Sequence, residues 1–257
     1  MKVKKILILI ATLLLILAGC STESNQDKAK KESASKTLTV SAAASLTDVT
    51  KALEKEFKKK HPNTNIKFNY GGSGSLRKQV EAGADVDVIM SANTTDVDQL
   101  QDKNKVSKVY DYAKNKLIII KYKNSNIKEV RDVSSPNKVA IGEEKSVPAG
   151  KYAIEYMKKE DLYEGMTSTF VFAKDVKQVL NYVKKENAEA GFVYETDLYK
   201  GKNDKVNNVV KLSDAPIDEP IIYRAGLITN KKASKEWFEF LKTKEAKQIF
   251  KEYHFEG

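Results

Sequence analysis

After an apolar run from Ile6 to Leu17 the chain is polar as far as Lys36, and from Thr37 on short apolar runs alternate with amphipathic stretches. Leu38-Thr39-Val40 predicts a strand. Leu46, Val49, Leu53 and Phe57 fall on one helical face, and His61-Pro62-Asn63 stops that helix. Ile66 to Tyr70 alternates as a strand does and runs into Gly71-Gly72-Ser73-Gly74, with a helix over about Ser75 to Ala82. The same rhythm predicts strands at Val86–Met90, Leu117–Ile120, Val139–Ile141, Phe170–Phe172, Gly191–Tyr194 and Ile221–Ile228. Helices are expected at Thr94–Gln101, from the loop before Gly150 through Met157, over Val176 to Val183, around Trp237-Phe238, and from Ala246 to Tyr253. Strand–helix alternation of this kind implies an α/β fold with mostly parallel sheets. In such folds ligands bind beyond the carboxyl ends of the strands, where helices begin.

The first apolar run is shorter than the roughly 20 residues a bilayer span needs. With Lys2, Lys4 and Lys5 before it, it reads as a signal peptide, residues 1–19. Leu17-Ala18-Gly19-Cys20 resembles the lipobox of bacterial lipoproteins. That resemblance implies a lipid on Cys20, a flexible tether over 20–36, and anchorage to the outer face of the cell membrane. Cys20 is the only cysteine, so the folded part has no disulfide and no thiol chemistry.

Hydrophobic residues make up 41% of the 257, enough for a real core. The net charge of +10 is carried almost entirely by lysine; Arg77, Arg131 and Arg224 are the only arginines. Lysines interleave with acids along the expected helices, as at Lys55, Glu56, Lys58 and Lys59, the pattern of a solvated face rather than a nucleic-acid stripe.

The candidate chemistry sits at the strand-to-helix junctions, which are small and largely uncharged. They are Ala42 to Thr47, with Ser45 at or near an N-cap; Gly71 to Ser75; Val147 to Tyr152; Ala173 to Val176; and Tyr194 at a strand end. A helix start carries unpaired N–H groups and the positive end of the helix dipole, so several aimed at one point make an anion site without any lysine. Gly and Ser let an anion reach the backbone.

Along nearly the whole mature chain the sequence resembles the molybdate-binding proteins of bacterial ABC importers. The resemblance is carried by AAASLT, GGSGSLRKQVEAGADVDVIMSA, VPAGKYA, AKDVKQVL, GFVYETD and IFKEYHF. It implies a two-lobed solute-binding fold of the type 2 periplasmic kind, each lobe a mixed sheet flanked by helices. Lobe 1 would be 37–115 plus 222–257 and lobe 2 would be 116–221, with the C-terminal helices in lobe 1. It further implies that the oxyanion is held by the hydroxyls of Ser45, Ser73 and Tyr194 and by the backbone N–H groups of Ala149 and Val176. Molybdenum would enter only as the oxyanion, with tungstate binding too. No cofactor is expected; the partners would be an ABC permease with its ATPase, and the protein a monomer.

A donor-only site suits molybdate, a full dianion at neutral pH that accepts hydrogen bonds and donates none. Protonated phosphate would need an acceptor. Asp48 and Asp175 are near in sequence but read as first-turn partners of the helix dipole, and Arg77 lies about 100° round its helix from the inward Leu76. Sulfate, phosphate and thiosulfate remain alternative cargoes, since sequence gives no cavity size. An enzyme is disfavoured. His61 and His254 read as surface residues, and Gly71 to Ser75 lacks the final Gly of a nucleophile elbow. There is no GxxxxGK[ST] loop and no His/Cys cluster for zinc. A surface interaction protein would leave the five junctions without a purpose.

Overall fold

The computed structural model describes residues 36–257. The expected signal peptide, the lipidated Cys20 and the tether up to Ser35 lie outside the described residues; Lys36 already belongs to the first strand.

Two five-stranded sheets organise the described chain. The first contains β1 (Lys36–Ala43), β2 (Thr64–Gly71), β3 (Val88–Ser91), β4 (Lys108–Asn115) and β10 (Ile221–Leu227), in the order β2-β1-β3-β10-β4. The second contains β5 (Leu117–Tyr122), β6 (Val139–Gly142), β7 (Phe170–Ala173), β8 (Ala190–Tyr194) and β9 (Val209–Asp214), in the order β7-β6-β8-β5-β9. The fold is therefore α/β with two lobes, each a mixed sheet flanked by helices.

Pairing is parallel for β1 with β2 and β3, and for β6 with β7 and β8. It is antiparallel wherever β10 or β5 takes part. The expectation of mostly parallel sheets thus fails for half of each sheet. The physical reason is the connectivity. The chain leaves the first sheet at Asn115, enters the second at Leu117, and returns through 215–220 to β10. Each antiparallel pair includes β10 or β5, strands that enter their sheet from the other one at a crossing and not through a strand–helix–strand unit, the connection that sets the parallel neighbours.

The helices are α1 (Thr47–Lys60), α2 (Ser73–Glu81), α3 (Thr95–Asp102), α4 (Pro148–Lys159), α5 (Tyr163–Met166), α6 (Val176–Lys184), α7 (Lys232–Phe240) and α8 (Lys244–Glu252). In α1 the expected stripe is the buried one: Val49, Leu53 and Phe57 are buried, and the helix ends where the His61 N–H reaches the Phe57 carbonyl. Helix α7 packs on β1 and β10, and α8 on α1 and β4. Trp237 meets the edge of Phe57 at 5.2 Å, and Phe250 lies 5.1 Å from Tyr112, so the last helices seal the first sheet's core. On that sheet's other face Leu76, Val80, Ile89, Val97 and Leu100 form a separate cluster under α2 and α3.

Candidate functional site

The parallel triplets β2-β1-β3 and β7-β6-β8 end at the same place, and their six carboxyl ends supply one cavity. Ser45 follows β1, Ser73 follows β2 and Ala92 follows β3. Opposite them, Ala149 begins the helix after β6, Val176 begins the helix after β7, and Tyr194 closes β8. All five residues singled out from the sequence lie on this wall, with Ala92, Gly71, Gly72 and Val147 among those completing it. Every lining residue is uncharged.

The cavity leaves about 10 Å³ for the centre of a water-sized sphere. A round cavity with that much room has a radius of about 2.7 Å, once the 1.4 Å of the water is added. That is the scale of one small ion.

Local structure explains how the donors are aimed. Ser45 lies near an N-cap, as expected: it stands one residue before Leu46, the N-cap of α1, inside a single 3-10 turn, Ala44–Leu46. Helix α2 begins at Ser73, two residues earlier than expected, with Gly72 as N-cap. Pro148 opens α4, so Ala149 stands second in that helix. Asp175 caps α6 by accepting the Gln178 N–H at 2.9 Å, which leaves Val176 first in the helix. N–H groups in the first turn of a helix have no intrahelical partner, so the N–H groups of Ser73, Ala149 and Val176 are available as donors.

The hydroxyls carry more information. Ser73 Oγ accepts the Ala92 N–H at 3.0 Å, so its own hydrogen is free to donate. Ser45 Oγ lies 2.9 Å from Tyr223 Oη. Tyr194 is 1% exposed, yet its hydroxyl finds no hydrogen-bond partner among the described residues. Burying a phenol without a partner is costly, and this one lies on the wall of the cavity. Burial also holds the Tyr194 and Tyr223 phenols well above their ordinary pKa, so both keep their protons.

Asp197, fully buried, accepts the Tyr194 N–H through Oδ2 at 3.1 Å and faces Lys177 Nζ across 3.1 Å through Oδ1. The same lysine reaches Asp48 of the first lobe at 3.3 Å. Lys177 is thus a cationic bridge between lobes beside the site, not on its wall.

Asp48 and Asp175 do not line the cavity, and neither does Arg77. Arg77 donates through Nε to Asp96 at 2.9 Å and through Nη1 to Glu81 at 2.5 Å. His61 stacks on Phe57 and lies 3.4 Å from Glu236, and His254 stacks on Tyr199; both are remote from the cavity.

Glycines 72 and 74 have a role that sequence reasoning missed. A Cβ on Gly72 would come within 2.5 Å of the Ser146 carbonyl oxygen and 3.0 Å of the Lys174 carbonyl oxygen. One on Gly74 would come within 3.0 Å of Ser146 Cα. The Gly74 N–H also donates to the Ser146 carbonyl at 3.0 Å. These glycines therefore make room for the opposite lobe's backbone as well as for an anion. Tyr223, Asn115 and Lys177 were also missed: an aromatic in an apolar strand reads as core, and a lysine among many reads as surface.

Residues 38–256 match the family of bacterial extracellular solute-binding proteins. The chain belongs to that family. This solute-binding protein is 37% identical to a Bacillus subtilis protein named as an ABC transporter substrate-binding lipoprotein, over 98% of each chain. It is 28% identical to the molybdate-binding protein of Haemophilus influenzae, over 87% of this chain and 91% of that one. Among solved structures it is similar to the substrate-binding domain assigned to a molybdenum ABC transporter of Clostridium difficile. There the identity is 35% and the TM-score 0.63, covering 86% of this chain and 99% of that one.

Proposed function

We propose that this solute-binding protein captures molybdate, and tungstate with it, between its two lobes and delivers it to the permease of an ABC importer. The oxyanion is held by the hydroxyls of Ser45, Ser73 and Tyr194 and by the N–H groups of Ala149 and Val176. The observation that carries this reading is the buried, unpartnered Tyr194 hydroxyl on the wall of an uncharged, ion-sized cavity. The names of the relatives in B. subtilis, H. influenzae and C. difficile support the choice of anion and transporter. The first lobe offers Ser45 and Ser73, the second offers Ala149, Val176 and Tyr194, and closing completes the shell.

The same reading places lobe 1 at 37–115 plus 222–257 and lobe 2 at 116–221, supported by the sheets to which β4, β5, β9 and β10 belong. It anchors the chain by a lipid on Cys20 and has it act as a monomer. The chain supplies binding and no turnover, while the permease's ATPase drives transport.

Charge-assisted hydrogen bonds contribute about 1.5–3 kcal/mol each. After desolvation a five-donor shell supports about −8 to −12 kcal/mol, micromolar to nanomolar binding. The narrow cavity favours one second reading, sulfate, the smaller dianion. The test is calorimetric titration of the purified, unlipidated protein with molybdate, tungstate, sulfate, phosphate and thiosulfate. Molybdate and tungstate are expected to bind most tightly and about equally. Sulfate binding tighter than molybdate, or no oxyanion binding at all, overturns the proposal.

A further inference from the structure

A buried hydrogen-bond chain runs from the crossing between the lobes to Ser45, and its direction follows from its first link. The Lys116 N–H donates to Asn115 Oδ1 at 2.9 Å. That bond fixes which way round the Asn115 amide sits, because the reverse would set its NH₂ against a backbone N–H. Asn115 Nδ2 is left to donate to Thr196 Oγ1 at 2.9 Å and to Tyr223 Oη at 3.2 Å, using both its hydrogens. Tyr223 is wholly buried. Its oxygen accepts from Asn115, and the acceptor for its own hydrogen is Ser45 Oγ at 2.9 Å. Were Ser45 the donor, the Tyr223 hydrogen would be stranded without an acceptor in the core, the costlier arrangement. With Tyr223 donating, the Ser45 hydrogen turns to the cavity that Ser45 lines.

A register shift in the β4–β10 pairing falls between Tyr223 and Arg224, where a bulge re-aims a side chain at the cost of local ladder regularity. The Tyr223 ring is held there edge-on by Tyr112, Tyr194 and Phe255.

We propose that Tyr223, oriented by Asn115, is a specificity-determining residue: it donates to Ser45 Oγ, turns the Ser45 hydrogen to the cavity as a fixed donor, and so favours oxyanions that carry no proton. This rests on the proposed oxyanion site and adds to it a residue outside the anion shell. Ser73 is set the same way by the Ala92 N–H, which no side-chain change can remove. Tyr194 receives no such bond among the described residues, so the discrimination rests on Ser45 and Ser73. A bare dianion such as molybdate asks the wall for hydrogens only. Hydrogen phosphate, of equal charge, also brings an O–H that needs an acceptor. Freed from Tyr223, Ser45 can rotate and accept it.

The experiment compares the wild type, Tyr223→Phe and Asn115→Asp by calorimetry. Molybdate is titrated directly and phosphate by competition, at a pH where phosphate is mainly the hydrogen-phosphate dianion. Tyr223→Phe keeps the ring packing and removes the hydroxyl. Molybdate affinity should fall about three- to tenfold, while phosphate holds or gains, so the molybdate-to-phosphate ratio narrows at least about threefold. Asn115→Asp reverses the chain. Its carboxylate accepts from Tyr223, Ser45 must then donate to Tyr223, and the cavity loses that hydrogen. The added charge weakens both dianions alike, so the ratio should narrow again; this variant reports the same quantity if Tyr223→Phe fails to fold. Wild-type molybdate binding with an unchanged ratio in the variants overturns this proposal alone. A wild type that binds neither anion overturns the oxyanion site, and this proposal with it.

Discussion

Gly72→Ala separates closure from every other property of the protein. The added methyl carbon would sit 2.5 Å from the Ser146 carbonyl oxygen, 3.0 Å from the Lys174 carbonyl oxygen and 3.1 Å from Val147 Cγ2, where ordinary contact begins at 3.4 Å. Two of those neighbours are backbone and cannot swing away, so the lobes must part by about 1 Å at this point. The Gly74–Ser146 hydrogen bond, 3.0 Å long, would then stretch beyond bonding range. Donors from the second lobe would retreat from the anion by a similar distance. Losing two of the three, at about 1.5–3 kcal/mol each, costs about 3–6 kcal/mol, a fall in affinity of about 10²- to 10⁴-fold. The backbone itself objects to nothing. Gly72 has φ −66° and ψ 134°, a conformation alanine adopts freely. Unliganded stability should therefore be unchanged or higher by up to about 1 kcal/mol, since alanine narrows the unfolded ensemble. Calorimetry measures the affinity, thermal unfolding without ligand measures the stability, and small-angle scattering shows whether molybdate still compacts the molecule. A dissociation constant within about threefold of wild type would refute the reasoning, because it would mean that the two backbones need not touch in the liganded state.

Tyr194→Phe should weaken molybdate binding by about 1–3 kcal/mol in calorimetry with no loss of thermal stability, since the hydroxyl it removes has no partner among the described residues. Ser45→Ala and Ser73→Ala should each weaken binding to a similar extent. Ser73→Ala should also cost about 1–3 kcal/mol in denaturant unfolding, because it strands the buried Ala92 N–H. Lys177→Met leaves the buried Asp197 without its cation and should destabilise the fold by about 3–5 kcal/mol in denaturant unfolding. Asp48→Asn breaks the inter-lobe contact to Lys177 and an exposed pair with Lys51, so it should raise the rate of anion release in stopped-flow with little change in unliganded stability. Molybdate affinity should be flat from about pH 6 to pH 9, because the one ionisable group on the cavity wall, Tyr194, is pushed upward by burial. Above about pH 10 unfolded tyrosines lose protons that buried Tyr194 and Tyr223 retain, so folding stability should fall as pH rises there.

Periodicity was enough for the core elements. The stripe Leu46, Val49, Leu53, Phe57 and the runs at Ile118, Val139 and Phe192 are buried because nothing else in the chain competes with burying them. It was not enough for β4 and β9. Lys108–Asn115 and Val209–Asp214 mix lysine, aspartate and asparagine with apolar residues because each is an edge strand wetted along one side, and such strands read as loops. The site residues were legible through family resemblance, since a small residue before a helix is common on its own. Tyr223 and Asn115 were not legible. Their contribution lies in the direction of hydrogen bonds between segments more than 100 residues apart, and only the assembled fold sets it.

Strand β10 sits between β3 and β4 although it is made more than 100 residues after either. As the polypeptide emerges, the second sheet, β5 to β9, can assemble from one continuous segment. The first cannot: β4 has no neighbour until Ile221–Leu227 arrives, and the core under Phe57 stays unsealed until Trp237 follows. Contacts of such long sequence separation form slowly. The half of the pocket bearing Ser45 and Ser73 is therefore the last to take shape, and a chain truncated before β10 would leave the β3 and β4 edges bare and open to pairing with other molecules.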